Sequence, residues 1–212
     1  MKIISLLFLA AFLETAFVHG QNDPQAIKIL DSFSSSASNA PSVSMVFRMI
    51  STDLIENTSD TLDGSIILSK DKYKLNLGDN IVWYNGETIW NYLTAEKEVT
   101  ITRPNKKDHS FQNRPSEIFS MYKSGYKCRM TEDKSDSYLI DLYPEDIKSD
   151  LVRVRLSLKR PNLHLLNMEY KRRDGLVVTL QISEYNLKQK PDADTFVFQT
   201  EKYKGVEIID MR

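Results

Sequence analysis

Apolar residues recur along this chain at two different periods, and the periods divide it into elements. Ile27, Leu30 and Phe33, with Ala26 and Ala37 nearby, form a stripe at helical spacing. Asp23-Pro24 stands just before it. An Asp can cap free helix amides and a Pro suits the first turn, so the pattern predicts a helix opening there. Ser34 to Ser42 (SSSASNAPS) breaks the stripe and predicts a loop.

A period of two follows. Val43, Met45, Phe47 and Met49 alternate with Ser42, Ser44, Val46 and Arg48. Gly64 to Lys70, Tyr73 to Leu77 and Glu98 to Thr102 continue in the same style. Arg103 to Asn113 is polar and predicts a loop, and Pro115 to about Lys123 predicts a short helix with Ile118, Phe119 and Tyr122 on its apolar side. Further strands are expected over Tyr126–Met130, Tyr138–Tyr143, Leu151–Lys159, Leu163–Tyr170 and Leu176–Ser183. Asp174-Gly175 is a tight-turn pair between the last two. Phe196, Phe198 and the stretch Val206 to Ile209 close the apolar pattern. The simplest architecture is one meandering antiparallel sheet with helices on one side.

The stretch Ile81 to Leu93 (IVWYNGETIWNYL) is the most aromatic part and holds both tryptophans. If Asn85-Gly86 is a two-residue turn, Tyr84 pairs with Glu87 and Trp83 with Thr88. Ile81, Trp83, Thr88, Trp90 and Tyr92 then share one face, and Val82, Tyr84, Ile89 and Leu93 the other. Both faces are apolar, so the hairpin needs cover on both sides or lines an apolar cavity.

The first residues do not belong to this fold. Lys2 and the apolar run Ile3 to Leu13, broken only by Ser5, precede Val18-His19-Gly20. The run is shorter than the ~20 apolar residues that span a bilayer. The pattern predicts an export signal over residues 1–20, cleaved before Gln21, and a single domain over 21–212. No cysteine stands directly after the run, so the chain is not expected to be a lipoprotein itself, and no second apolar segment of spanning length appears. A soluble exported protein is expected.

Charge and chemistry narrow the function by exclusion. Lys+Arg number 28 against 29 Asp+Glu, which provides no electrostatic case for nucleic acid. Cys128 is the one cysteine, so an intrachain disulfide is impossible. Its neighbours Lys127 and Arg129 would activate a thiolate, against the plainer reading of a strand residue without a task. After the signal only His109 and His164 remain, with no HExxH and no CxxC, which argues against zinc. There is no GxSxG, Walker loop or GxGxxG. Glu145-Asp146 is a carboxylate pair in a polar turn, weak ground for glycoside hydrolysis. The balance points to binding rather than catalysis.

NGETIWNY (Asn85 to Tyr92), GSIILSKDKYKLNL (Gly64 to Leu77), PSEIF (Pro115 to Phe119) and FVFQTEKYKGVEIID (Phe196 to Asp210) resemble the periplasmic outer-membrane lipoprotein carrier family, LolA, in the version of the Bacteroidota branch. The resemblance implies an incomplete antiparallel β-barrel of about eleven strands, closed by a helical lid over an apolar cavity. It implies a periplasmic carrier, not an enzyme, without a cofactor or metal, working as a monomer. Such a carrier takes acylated lipoproteins from an inner-membrane ATP-driven (ABC) releasing complex and passes them to an outer-membrane acceptor. On that basis Met45, Phe47, Met49, Ile66 and Leu68 are expected to contact acyl chains, joined by Ile81, Trp83 and Trp90 from the hairpin and by Leu30 and Phe119 from the lid. Well-studied members carry an Arg on the second strand that latches the lid. Counting from Gly64, Lys70 stands there, without the planar fork of Arg. A regulatory domain of the same fold that senses lipoproteins or envelope stress is the alternative, and an extracytoplasmic hydrolase a third.

Overall fold

The structure is a computed structural model that describes residues 22–104 and 114–212. The expected export signal and nearly all of the expected polar loop lie outside the described residues. Helix α1 (Pro24–Asn39) opens as its sequence predicts: the Asp23 carboxylate accepts hydrogen bonds from the amides of Gln25 (2.9 Å) and Ala26 (3.2 Å). It does not stop at Ser34. Ser32, Ser36 and Ser38 donate their hydroxyls to carbonyls four residues back, at 2.9–3.0 Å, so the serines bond within the helix instead of forming a turn. The buried stripe of Ala26, Ile29, Leu30, Phe33 and Ala37 runs the whole length, and its burial outweighs the weak helix propensity of the serines. Ala40, before Pro41, is extended, as a residue preceding proline prefers.

Twelve strands follow: β1 (Val43–Asp53), β2 (Thr58–Ser69), β3 (Lys72–Leu77), β4 (Asn80–Tyr84), β5 (Ile89–Leu93), β6 (Glu98–Thr102), β7 (Tyr126–Asp133), β8 (Ser137–Pro144), β9 (Leu151–Lys159), β10 (Leu165–Arg172), β11 (Leu176–Asn186) and β12 (Glu207–Asp210). They form one sheet in the order β12-β6-β5-β4-β3-β2-β1-β11-β10-β9-β8-β7. Every pair is antiparallel except β12–β6, which is parallel. The β1–β11 pairing joins two meanders, β1 to β6 and β7 to β11. The edges β12 and β7 do not pair with each other, so the barrel is incomplete, with one α-helix among the described residues. The expected short helix is two 3₁₀ turns, Pro115–Phe119 and Met121–Lys123. No helix among the described residues is long and apolar enough to cross a membrane.

Strand register sorts the side chains into an inner and an outer face. Met130, Ile140, Leu156, Met168, Leu180 and Met49 lie opposite one another across six strands, from β7 to β1. Met45, Ile66, Leu75 and Val82 continue the same face across β1 to β4. These residues, with the apolar stripe of α1, form one core. The outer face divides. Over β8 to β10 it is polar: Asp141 lies opposite Arg155, and Arg155 opposite Glu169. Over β4 to β6 it is apolar and carries a second cluster of Trp83, Tyr92 and Val99, covered by Phe198 and Tyr203 of the C-terminal segment.

Candidate functional site

The inner face brings together most of the residues expected to meet acyl chains. Leu30, Met45, Phe47, Ile66, Leu68 and Phe119 are buried in one cluster, with Met49 packed against it. Tyr73, Leu75, Val82 and Ile89 from β3 to β5, and Val154, Leu156, Leu158 and Met168 from β9 and β10, complete this wall. The alternation of Val154, Leu156 and Leu158 is visible in the sequence. That it shares a face with Met45 is set by β1–β11 pairing, a contact between segments about 130 residues apart.

Ile81, Trp83 and Trp90 are not part of this wall. The β4–β5 connection is longer than a two-residue turn: Tyr84 pairs with Ile89 and Trp83 with Trp90. The Asn85 carboxamide oxygen accepts from the amides of Glu87 (3.0 Å) and Thr88 (2.9 Å), building a local turn of its own. The register moves by two residues, so the division into faces survives. What reverses is which face points inward. Leu75, opposite the inner-face Ile66, lies opposite Val82, whereas Trp83 lies opposite Lys74. Trp83 therefore meets Phe198 and Tyr203 edge-on, at 5.4 and 5.8 Å between ring centres, on the outside of the sheet.

Helix α1 roofs the inner face. Its start is tied to the sheet edge: the Asp23 amide donates to the Cys128 carbonyl (3.0 Å), and the Cys128 amide donates to the Asn22 side chain (2.8 Å). The Asp23 carboxylate also accepts from the Met130 amide (3.2 Å). Further along, the rings of Phe33 and Phe119 stand 5.2 Å apart, and the Tyr122 hydroxyl donates to Asp31 at 2.6 Å. Burial, reinforced by that bond, pushes the Tyr122 phenol up to about 12. This contact ties the middle of α1 to the second 3₁₀ turn. Lys70 is exposed in the turn after β2, at φ 56°, where the chain has already left the strand. No described hydrogen bond or ion pair joins it to the lid.

Cys128 is an inner-face strand residue, 2% exposed, with its thiol raised to about 11 by burial and by the Glu145 charge. A protonated, enclosed thiol is inert, so the activating effect of Lys127 and Arg129 does not prevail.

A sequence profile of the family described as outer membrane lipoprotein carrier protein LolA matches residues 16–161, more than half of the chain. The chain belongs to this family. The match ends before the C-terminal FVFQTEKYKGVEIID segment. No curated protein matches the chain. Among solved structures, an uncharacterized conserved protein from Thermus thermophilus is 11% identical, with TM-score 0.58, over 88% of this chain and 99% of that one. At this identity the likeness concerns the fold alone. A LolA superfamily protein from Nitrosomonas europaea is 12% identical, with TM-score 0.43, over 82% of this chain and 97% of its own. The Mycobacterium tuberculosis lipoprotein LppX is 13% identical, with TM-score 0.45, over 81% and 100%. For a member of the LolA family, the inner face and its helical roof are the candidate binding site.

Proposed function

We propose that this protein binds lipoprotein acyl chains against the inner face of its open barrel and carries them through the periplasm. The observation that supports this most is the extensive apolar inner face, roofed by a helix rather than by sheet. Family membership points the same way. Each CH₂ taken out of water is worth ~0.8 kcal/mol, so an acyl chain must remain covered in transit. In the closed state α1 supplies cover for the wall. When α1 lifts, the exposed apolar face needs a substitute, and an acyl chain provides one. Competition between lid and cargo then makes release possible. The methionines Met45, Met49, Met130 and Met168 adapt the wall to chains of differing shape. Leu30, Phe47, Ile66, Leu68 and Phe119 complete the contact in this reading.

Residues 1–20 act as the export signal and 21–212 as one monomeric carrier unit. An inner-membrane ABC complex supplies the cargo and an outer-membrane acceptor receives it, with no reaction catalysed. Mass spectrometry of the protein isolated from envelopes should find acylated polypeptides, and depletion should strand lipoproteins at the inner membrane. Normal outer-membrane lipoprotein levels after depletion would overturn carriage. Recovery of a partner polypeptide without acyl chains would favour the sensing role instead.

A further inference from the structure

Two buried acceptors interrupt the apolar inner face. The Oδ1 atoms of Asn80 on β4 and Asn91 on β5 are shielded from solvent and accept no hydrogen bond. Register places both side chains on the inner side. Asn80 lies opposite Leu77 and Leu93, and Asn91 opposite Val82, with Leu77 and Val82 in the inner core. The pairs Asn80–Leu93 and Val82–Asn91 are successive on this face, so the two asparagines are diagonal neighbours. Asn91 also lies opposite Thr100, whose hydroxyl is directed to the Glu98 carboxylate at 3.4 Å. That hydroxyl proton is therefore engaged, and the Thr100 oxygen and the Glu98 carboxylate add acceptor atoms to the same face.

An unsatisfied buried carbonyl costs about 1–3 kcal/mol, and native proteins carry few of them. Leucine or valine would serve a plain core here at no such cost. Instead, neighbouring strands place acceptors together at the β5–β6 end of the apolar wall. We infer that this strip is a polar subsite for an uncharged hydrogen-bond donor, an amide N–H or a hydroxyl, attached beside the acyl chain of the cargo. The inference rests on the acyl-binding reading above and names the chemistry that the apolar wall cannot read. A fatty carboxylate has no proton to offer the two buried carbonyl oxygens and brings a second negative charge beside the Glu98 carboxylate. An ester without a hydroxyl has no donor for these oxygens. An acylated polypeptide supplies amide N–H groups next to its lipid, and a partial glyceride supplies hydroxyls. The strip thus separates cargo from free fatty acid and from fully esterified lipid.

Four probes of equal chain length test this by displacement of a fluorescent acyl probe from the full chain: dodecanamide, glyceryl monododecanoate, methyl dodecanoate and dodecanoate. One satisfied donor is worth about 1.4 kcal/mol, so the amide, the glyceride or both should bind roughly tenfold more tightly than the methyl ester. The amide and glyceride arms separate the two sources of donor. The double variant Asn80→Leu/Asn91→Leu should abolish the difference with no fall in thermal midpoint, because it removes two unpaired acceptors. Equal affinities in the unaltered protein, tighter binding of the carboxylate, or discrimination retained by the double variant would overturn the polar subsite while leaving the acyl wall standing. Failure of all four probes to bind would overturn both.

Discussion

Asp31 and Tyr122 hold the middle of helix α1 to the 3₁₀ turns through a 2.6 Å hydrogen bond, beside the Phe33–Phe119 ring pair. Tyr122→Phe keeps the ring and removes only the hydroxyl. A hydrogen bond to a charged group is worth about 1.5–3 kcal/mol, so the lid should open more easily. Apparent affinity for a fluorescent acyl probe should rise roughly tenfold, a free-energy change of about 1.4 kcal/mol. Unchanged affinity would show that this bond does not restrain the lid. The phenol is raised from its ordinary value near ~10 to about 12. The bond therefore contributes fully below ~pH 10 and is lost as pH rises through about 12. Lid closure should weaken over that alkaline window in the native chain and stay level in Tyr122→Phe.

Asp141 titrates in the opposite sense. Burial alone would raise its carboxyl, but the Arg155 bonds at 2.6 and 2.8 Å, the Tyr143 hydroxyl and the Arg153 charge outweigh burial and hold it below the usual range. Its contribution is present above ~pH 4 and falls away as pH drops through the lowered value. Asp141→Asn should cost roughly 1–3 kcal/mol at neutral pH, moderated because Arg155 is partly exposed, and should flatten the acid limb of a urea-denaturation pH series.

At the scale of elements, the tightest constraint lies where β1 meets β2. Phe47 lies opposite Gly64, and a Cβ built on Gly64 would stand 2.7 Å from the Phe47 ring and 3.0 Å from the Asn76 carbonyl oxygen. The glycine is there because the ring needs the space, not because the backbone needs a left-handed conformation. Gly64→Ala should destabilise by about 1–3 kcal/mol through overpacking. Phe47→Leu in the same chain should recover part of the loss, read as the thermal midpoint across the double-mutant cycle. Simple additivity would mean that the strain falls on the Asn76 backbone instead. The hairpin makes a related point about elements. Its turn is held by the Asn85 side chain, and its two apolar faces serve different partners, the inner core on one side and the C-terminal segment on the other.

For the whole molecule, the proposed function turns on the gap between β12 and β7. A closed barrel would seal the interior with hydrogen-bonded backbone on every side. Here the cover is a helix tied at its first residues to the β7 edge and held beyond them by packing and side-chain contacts. Hydrogen exchange should reveal this division: amides of 25–39 should exchange faster than those of β8 and β9. Saturation with an acyl ligand should speed exchange in the helix further, since the ligand takes over the wall that the helix covers. Equal protection of the helix with and without ligand would show that cargo does not displace it.

Much of this organisation is local and therefore visible in the chain alone. Period-two alternation marks strands because successive side chains point to opposite sides, and the Asp23-Pro24 cap marks the helix start because it meets the free amides of the first turn. The parity of the hairpin is equally local, which is why the grouping of Ile81 with Trp83 and Trp90 survives a turn of different length. The serines after Phe33 misled because their propensity is weak and the burial that overrides it comes from distant strands. Parity also leaves a symmetry unbroken: it says which residues share a face, but not which face is inside. Only the register of β4 against β3, and of β1 against β11, turned the tryptophans outward and brought Asn80 and Asn91 to the wall, because a face becomes interior through what packs against it.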